Sequence, residues 1–190
     1  MSGLEIMRSA EVICSYIMKG FDMTKNCPII LCGFTSSGKT TIGKLLSERL
    51  GLPFYDTDQM LIEHYQMTIP EIFAKGGETL FRDYEHEIAR RVCTLGPSVV
   101  STGGGMLTFD RNGEILAKNG MIFYIDRPFE GCYANLAQHP ERPLFKNHTK
   151  KEVQDMYLIR RDLYRKYAKF DIKNTGTAGE AAEKIRDLLK

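Results

Sequence analysis

The sequence predicts an α/β fold, a three-layer α/β/α sandwich around a central five-stranded parallel sheet. Five short apolar runs alternate with stretches of helical periodicity along most of the chain. The runs are short and nearly continuous in apolar character, as strands buried on both faces are. Two of them end in glycine-rich turns, at 33–38 and 103–105, where loops at the carboxyl edge of such a sheet gather ligands.

Residues 1–26 are expected to be an appendage. Leu4, Met7, Ile13, Tyr16, Ile17 and Phe21 could form a short amphipathic helix, while Glu5, Arg8 and Glu11 interrupt any secretory apolar region. The domain proper spans 27–190. Its first strand is 28–32, followed by a helix over 39–50 with Ile42, Leu45, Leu46 and Leu50 on one face and Gly51 as its stop. A second strand at 53–56 leads into a helix at 58–65. Helices follow at 69–75 and 79–92, the latter with Leu80, Tyr84 and Ile88 at helical spacing. A third strand at 98–101 runs into the second glycine cluster. A helix at 111–118 closes at Asn119-Gly120, and 121–125 is a fully apolar strand. The helix at 129–137 gives way to a polar stretch, 138–148. Thr149 with Glu152 forms a capping box that opens a helix to about 168, and Thr177 with Glu180 caps a terminal helix after a strand at 170–173.

A chain of 190 residues fits one domain, and 43% hydrophobic with 26% charged residues is ordinary for a globular one. The net charge of +2 is too small to argue for nucleic acid or membrane partners. No run approaches the roughly 18 apolar residues of a membrane span. Cys14, Cys27, Cys32, Cys93 and Cys132 follow no metal-ligand spacing, and their odd number suits a reducing, cytoplasmic setting.

The chemistry centres on Gly33-Phe34-Thr35-Ser36-Ser37-Gly38-Lys39-Thr40, a G-x-x-x-x-G-K-T loop between a strand and an amphipathic helix. Such a loop turns successive backbone N–H groups toward phosphate oxygens, and the helix N-terminus adds its dipole. Lys39 is expected on the β- and γ-phosphates and the Thr40 hydroxyl on Mg2+. Alternate residues of an extended strand share a face, so Asp56 and Asp58 can both look toward that site; Asp58 can equally cap the next helix. Gly103, Gly104 and Gly105 leave backbone open to a small ligand. Arg82 and Arg160 could jointly grip a carboxylate, and Arg142, on the polar stretch, could close over ATP.

Six motifs in order, GFTSSGKT (33–40), LPFYDTD (52–58), GGETLFRDYE (76–85), STGGG (101–105), ERPLF (141–145) and RRDLY (160–164), make the chain from 27 onward resemble the shikimate kinase family. The resemblance implies a P-loop kinase fold with a lid at about 135–148. It also implies ATP-dependent phosphorylation of the 3-hydroxyl of shikimate, giving shikimate 3-phosphate and ADP on the route to chorismate and the aromatic amino acids. The ATP phosphates would lie on Thr35, Ser36, Ser37, Gly38, Lys39, Thr40 and Thr41. Asp58 would bind the ring hydroxyls and act as base, with Lys39 and Arg142 as its catalytic companions. Phe81, Arg82, Glu85, Gly103, Gly104, Gly105 and Arg160 would form the shikimate pocket; Arg161 is the fallback for Arg160. Mg2+ would be held by Thr40, with Asp56 and Ser101 acting through water. Expected partners are ATP and shikimate alone, with a monomeric chain.

One departure stands out. Members of that family usually carry an adenine-stacking arginine about seven residues before the lid arginine, and here that register gives Asn135. The turn Asn174-Thr175-Gly176-Thr177 offers no basic replacement, so a weaker grip on the base is expected, with the reaction unaffected. Two other readings stay open on sequence alone: a kinase for another small acid such as gluconate, and a nucleotide-binding module without turnover.

Overall fold

The computed structural model describes residues 27–138 and 147–190. The expected N-terminal appendage, and Arg142 with most of the expected lid, lie outside the described residues.

The first strand, β1 (Ile29–Cys32), is fully buried along its length, as its unbroken apolar sequence requires of a strand covered on both faces. Helix α1 (Lys39–Leu50), β2 (Phe54–Asp56), α2 (Thr57–Tyr65), α3 (Ile69–Val92) and β3 (Val99–Ser101) follow. A 3₁₀ turn (Met106–Thr108) precedes α4 (Asp110–Asn119), β4 (Met121–Asp126), α5 (Phe129–Ala137), α6 (Lys150–Tyr167), β5 (Phe170–Lys173) and α7 (Ala178–Leu188). The five strands form one parallel sheet in the order β2-β3-β1-β4-β5.

Alternation along the strands divides the core in two. Ile29, Leu31, Phe123 and Ile125 point to one face and are covered by Ile42 and Leu46 of α1 and by Ala181, Ala182 and Ile185 of α7. Ile30, Cys32, Ile122 and Tyr124 point to the other, under Ile88, Leu116, Leu136, Val153 and Tyr164 from α3, α4, α5 and α6. Each valine, leucine, isoleucine or phenylalanine among them contributes about 1.5–3 kcal/mol on burial. Helices on both faces are the expected sandwich.

Three details differ from the pattern read in the sequence. The helices expected at 69–75 and 79–92 run on as one element, broken by a kink at Gly76 and Gly77, whose φ of +64° at Gly77 is a left-handed conformation glycine adopts without penalty. Thr68 and Glu71 form a third capping box, reciprocal in its hydrogen bonds, that starts this element. Strand β2 ends at Asp56, and Thr57 is already helical.

The order of strands fixes the place of the site. From β1 the chain passes to the β2 edge, returns through β3, and crosses to β4 on the other side of β1. The connections therefore part at the carboxyl end of β1, which opens a crevice there.

Candidate active site

The chain leaves β1 in a loop with three left-handed residues, Gly33 (φ +149°), Ser36 (φ +63°) and Gly38 (φ +98°). Ser36 accepts a conformation uncommon for a residue with a Cβ, a local strain that recurs where backbone N–H groups are turned onto a ligand. Helix α1 starts at Lys39, and no side chain caps its first turn. Lys39 is only 7% exposed and donates to the carbonyls of Gly33 and Phe34, both at 2.9 Å. Burial lowers its pKa below the ordinary lysine value. A cavity of about 340 Å³ lies over the loop, lined by Ser36, Gly38, Lys39, Thr40 and Thr41, with Asn135 and Gln138 from the end of α5.

Beside Lys39, three oxygen-bearing side chains converge from three elements. The Thr40 hydroxyl donates to Asp56 Oδ2 at 3.1 Å and lies 3.3 Å from Ser101 Oγ. Two hydroxyls and a carboxylate are hard oxygen donors of the kind Mg2+ takes. Among the described residues no cluster of His, Cys, Asp or Glu could hold a metal without such help.

The two aspartates come together by a route other than strand alternation. Asp56 is the N-cap of α2, accepting from the Asp58 N–H at 3.1 Å, and Asp58 sits in the first turn of the helix. Strand alternation therefore does not relate the pair, since only Asp56 is in the strand. Asp58 does not cap the helix either, because Asp56 takes that role; the Asp58 carboxylate lies against Gly103.

The glycine run meets a different group at each position. A Cβ at Gly103 would stand 2.5 Å from Asp58 Oδ1, one at Gly104 would stand 2.9 Å from Thr35 Oγ1, and one at Gly105 would stand 2.5 Å from Arg82 Nη1. Three bare residues thus let three functional side chains approach one stretch of backbone. The run is pinned by Gly103 N–H donating to Thr57 Oγ1 (2.9 Å) and by the Tyr164 hydroxyl donating to the Gly104 carbonyl (2.5 Å).

Arg82 is held by Glu85 (2.5 Å) and Glu78 (2.9 Å), and its guanidinium lies over the rings of Phe81 and Phe109. Glu85 is 2% exposed, and burial raises its carboxyl above the ordinary value although Arg82 opposes this. Arg160 reaches the same crevice from α6, with its guanidinium 5.9 Å from the Phe34 ring. Arg161 turns away to Asp162. The structure therefore brings together the expected loop residues, Asp56, Asp58, Ser101, Gly103–Gly105, Phe81, Arg82, Glu85 and Arg160.

Sequence reasoning missed Thr57 and Tyr164 as supports of the glycine run, and Asn174 as a support of the phosphate loop. Tyr164 stood inside a quoted motif, four residues after Arg160 and so on the same helical face. Asn174 carried a weaker signal, that of a polar residue directly after a strand at the carboxyl edge.

Comparison with known proteins gives consistent matches. The family model described as shikimate kinase matches residues 35–190. The chain is 40% identical over 158 residues to the shikimate kinase of Caldicellulosiruptor bescii, covering 83% of this chain and 92% of the relative. It is 38% identical over 159 residues to that of Thermodesulfovibrio yellowstonii, covering 83% and 91%. The structure of the Acinetobacter baumannii shikimate kinase in complex with shikimate superposes with a TM-score of 0.82 at 34% identity, covering 90% of this chain and 96% of that one.

Proposed function

Because the chain belongs to the shikimate kinase family, we propose that the crevice at the carboxyl end of β1 carries out that family's reaction with the residues described above. The enzyme phosphorylates shikimate at the expense of ATP, in aromatic biosynthesis. The observation that carries the residue assignment is the convergence on one crevice of the Thr40–Asp56–Ser101 oxygens and a glycine run abutting Asp58, Thr35 and Arg82 in turn.

In this reading the backbone of Thr35, Ser36, Ser37, Gly38, Lys39, Thr40 and Thr41 cradles the ATP phosphates. Lys39 leaves the carbonyls of Gly33 and Phe34 for the phosphate oxygens. Thr40 would hold Mg2+, with Asp56 and Ser101 acting through water, and the ion would supply positive charge to offset that of the phosphates. Arg82 and Arg160 take the shikimate carboxylate. Glu78, exposed and therefore weakly bound, yields its place on Arg82, while buried Glu85 keeps the guanidinium oriented. Phe81 and Gly103–Gly105 line the ring.

The reaction is an in-line displacement. Asp58 accepts the proton of the 3-hydroxyl as its oxygen forms a bond to the γ-phosphorus, and the bond from phosphorus to the bridging oxygen of ADP breaks. Arg142, on a lid at about 135–148, neutralises charge on the transferred group, and closure excludes water that would otherwise hydrolyse ATP. The catalytic domain is 27–190 and acts as a monomer. Among the described residues no helix is long and apolar enough to cross a membrane. The reduced thiols of Cys32, Cys93 and Cys132 fit the reducing cytoplasm in which we place the reaction.

A coupled assay of ADP release with MgATP tests this. Shikimate should support turnover and gluconate should not. Gluconate-dependent release without a shikimate signal would assign the pocket to another acid, and nucleotide binding without turnover on either would make the chain a binding module.

A further inference from the structure

Asn174 follows β5 directly and is 6% exposed. Its backbone N–H donates to the Asp126 carbonyl at 3.0 Å, continuing the β4–β5 ladder by one step. Its side-chain Nδ2 crosses to the phosphate loop and donates to the Ser37 carbonyl at 2.8 Å. In a planar trans peptide the C=O and the following N–H point in opposite directions. Holding the Ser37 carbonyl toward β5 therefore turns the Gly38 N–H the other way, toward the cavity lined by Lys39 and Thr40.

The fit at this joint is close. A Cβ on Gly38 would lie 3.0 Å from Asn174 Nδ2, and Gly38 is left-handed at φ +98°. The post that carries Asn174 is itself braced. The buried Asp126 carboxylate, at the end of β4, takes the Tyr124 hydroxyl (3.2 Å), Arg165 (3.2 Å) and Lys173, and Arg165 also holds Asp171 of β5 (2.7 Å). None of these charged groups has a part in the reaction described above. Together they lock the carboxyl ends of β4 and β5 side by side.

We infer that Asn174 is a positioning residue for ATP binding, aiming the Gly38 N–H at a phosphate oxygen by holding the Ser37 carbonyl away from it. The inference rests on the reading that this loop holds the ATP phosphates. A phosphate contact present both before and during transfer acts as uniform binding, so its loss raises KM for ATP with kcat held.

The test is steady-state kinetics and calorimetric ADP titration on the full chain carrying Asn174→Leu, which keeps the branched shape, somewhat enlarged, without a donor or a charge. Expected is a rise of about 10- to 100-fold in KM for ATP and in Kd for ADP, the scale of one charge-assisted hydrogen bond. KM for shikimate should stay within about twofold. Asn174→Ala, which admits water to the Ser37 carbonyl, should give the same split. ADP affinity within about twofold of native, or an equal rise in both KM values, overturns the inference. So does loss of cooperative folding in both variants, which would assign Asn174 to the scaffold. Failure of the native chain to bind ADP would instead sink the phosphate-loop reading beneath it.

Discussion

Gly103→Ala adds one methyl group at the point where the glycine run meets Asp58. The new carbon would stand 2.5 Å from Oδ1, inside the 3.0 Å limit that real Cβ contacts respect, and 3.3 Å from Cγ. Gly103 cannot easily retreat, because its N–H is fixed to Thr57 Oγ1 and the next carbonyl is fixed to Tyr164. The carboxylate must therefore give way, by about 0.5–1 Å, and a misplacement of that size in a reacting group costs on the order of 10²-fold in rate. The backbone at Gly103 lies outside the left-handed region, so alanine adds no conformational strain there. Steady-state kinetics should show kcat reduced about 10²-fold with KM for ATP unchanged. Calorimetry should place the thermal midpoint within a few degrees of native, as for a loss of less than about 1 kcal/mol. A kcat within about threefold of native would refute the placement of Asp58 at the reacting hydroxyl.

Gly105→Ala presses on Arg82 in the same way and should raise KM for shikimate about tenfold while leaving ATP untouched; equal shifts in both would contradict the division of labour. Arg82→Ala should weaken shikimate binding more severely, read by titration with shikimate alone, and an unchanged Kd would remove Arg82 from the pocket. Arg142→Ala should lower kcat by about 10³-fold, the scale of a lost arginine finger; a tenfold loss would argue against its acting on the transferred group. The last prediction concerns protons. Burial depresses the Lys39 pKa, so the unfolded chain binds the proton more tightly. Stability from this group therefore rises with pH between the folded value and 10.5. Bound phosphate reverses the shift, so ADP binding should take up a proton on the alkaline side below 10.5. Titrations in two buffers of different ionisation enthalpy measure this, and no uptake would mean that Lys39 does not meet the phosphates.

The strands, the helices and the glycine loop were legible because each is a local pattern. A run such as 121–125 has one way to satisfy its backbone and its apolar side chains at once. The order of strands was not legible, since hydrogen-bonding partners far apart in sequence leave no local mark. The same divide runs through the site. The glycines and arginines were visible as residue types, but not that each of the three glycines answers a different side chain. The aspartate pair was found by an argument that does not hold, because a helix beginning at Thr57 replaced the expected extended step. Asn174 and Thr57 act on backbone atoms distant in sequence, and nothing local to them announces it.

The capping box at Thr149 has a consequence for engineering. Thr149 and Glu152 satisfy each other's backbone N–H groups, so α6 begins at a fixed residue whatever chain precedes it. Arg160 lies about three turns further on, and Tyr164 fastens that stretch to the glycine run. The start of α6, and with it the place of Arg160, is therefore set from within the helix rather than by the residues before Thr149. Asn135→Arg, at the end of α5 on the rim of the cavity over the loop, would ask directly whether a stacking arginine there tightens the hold on ATP.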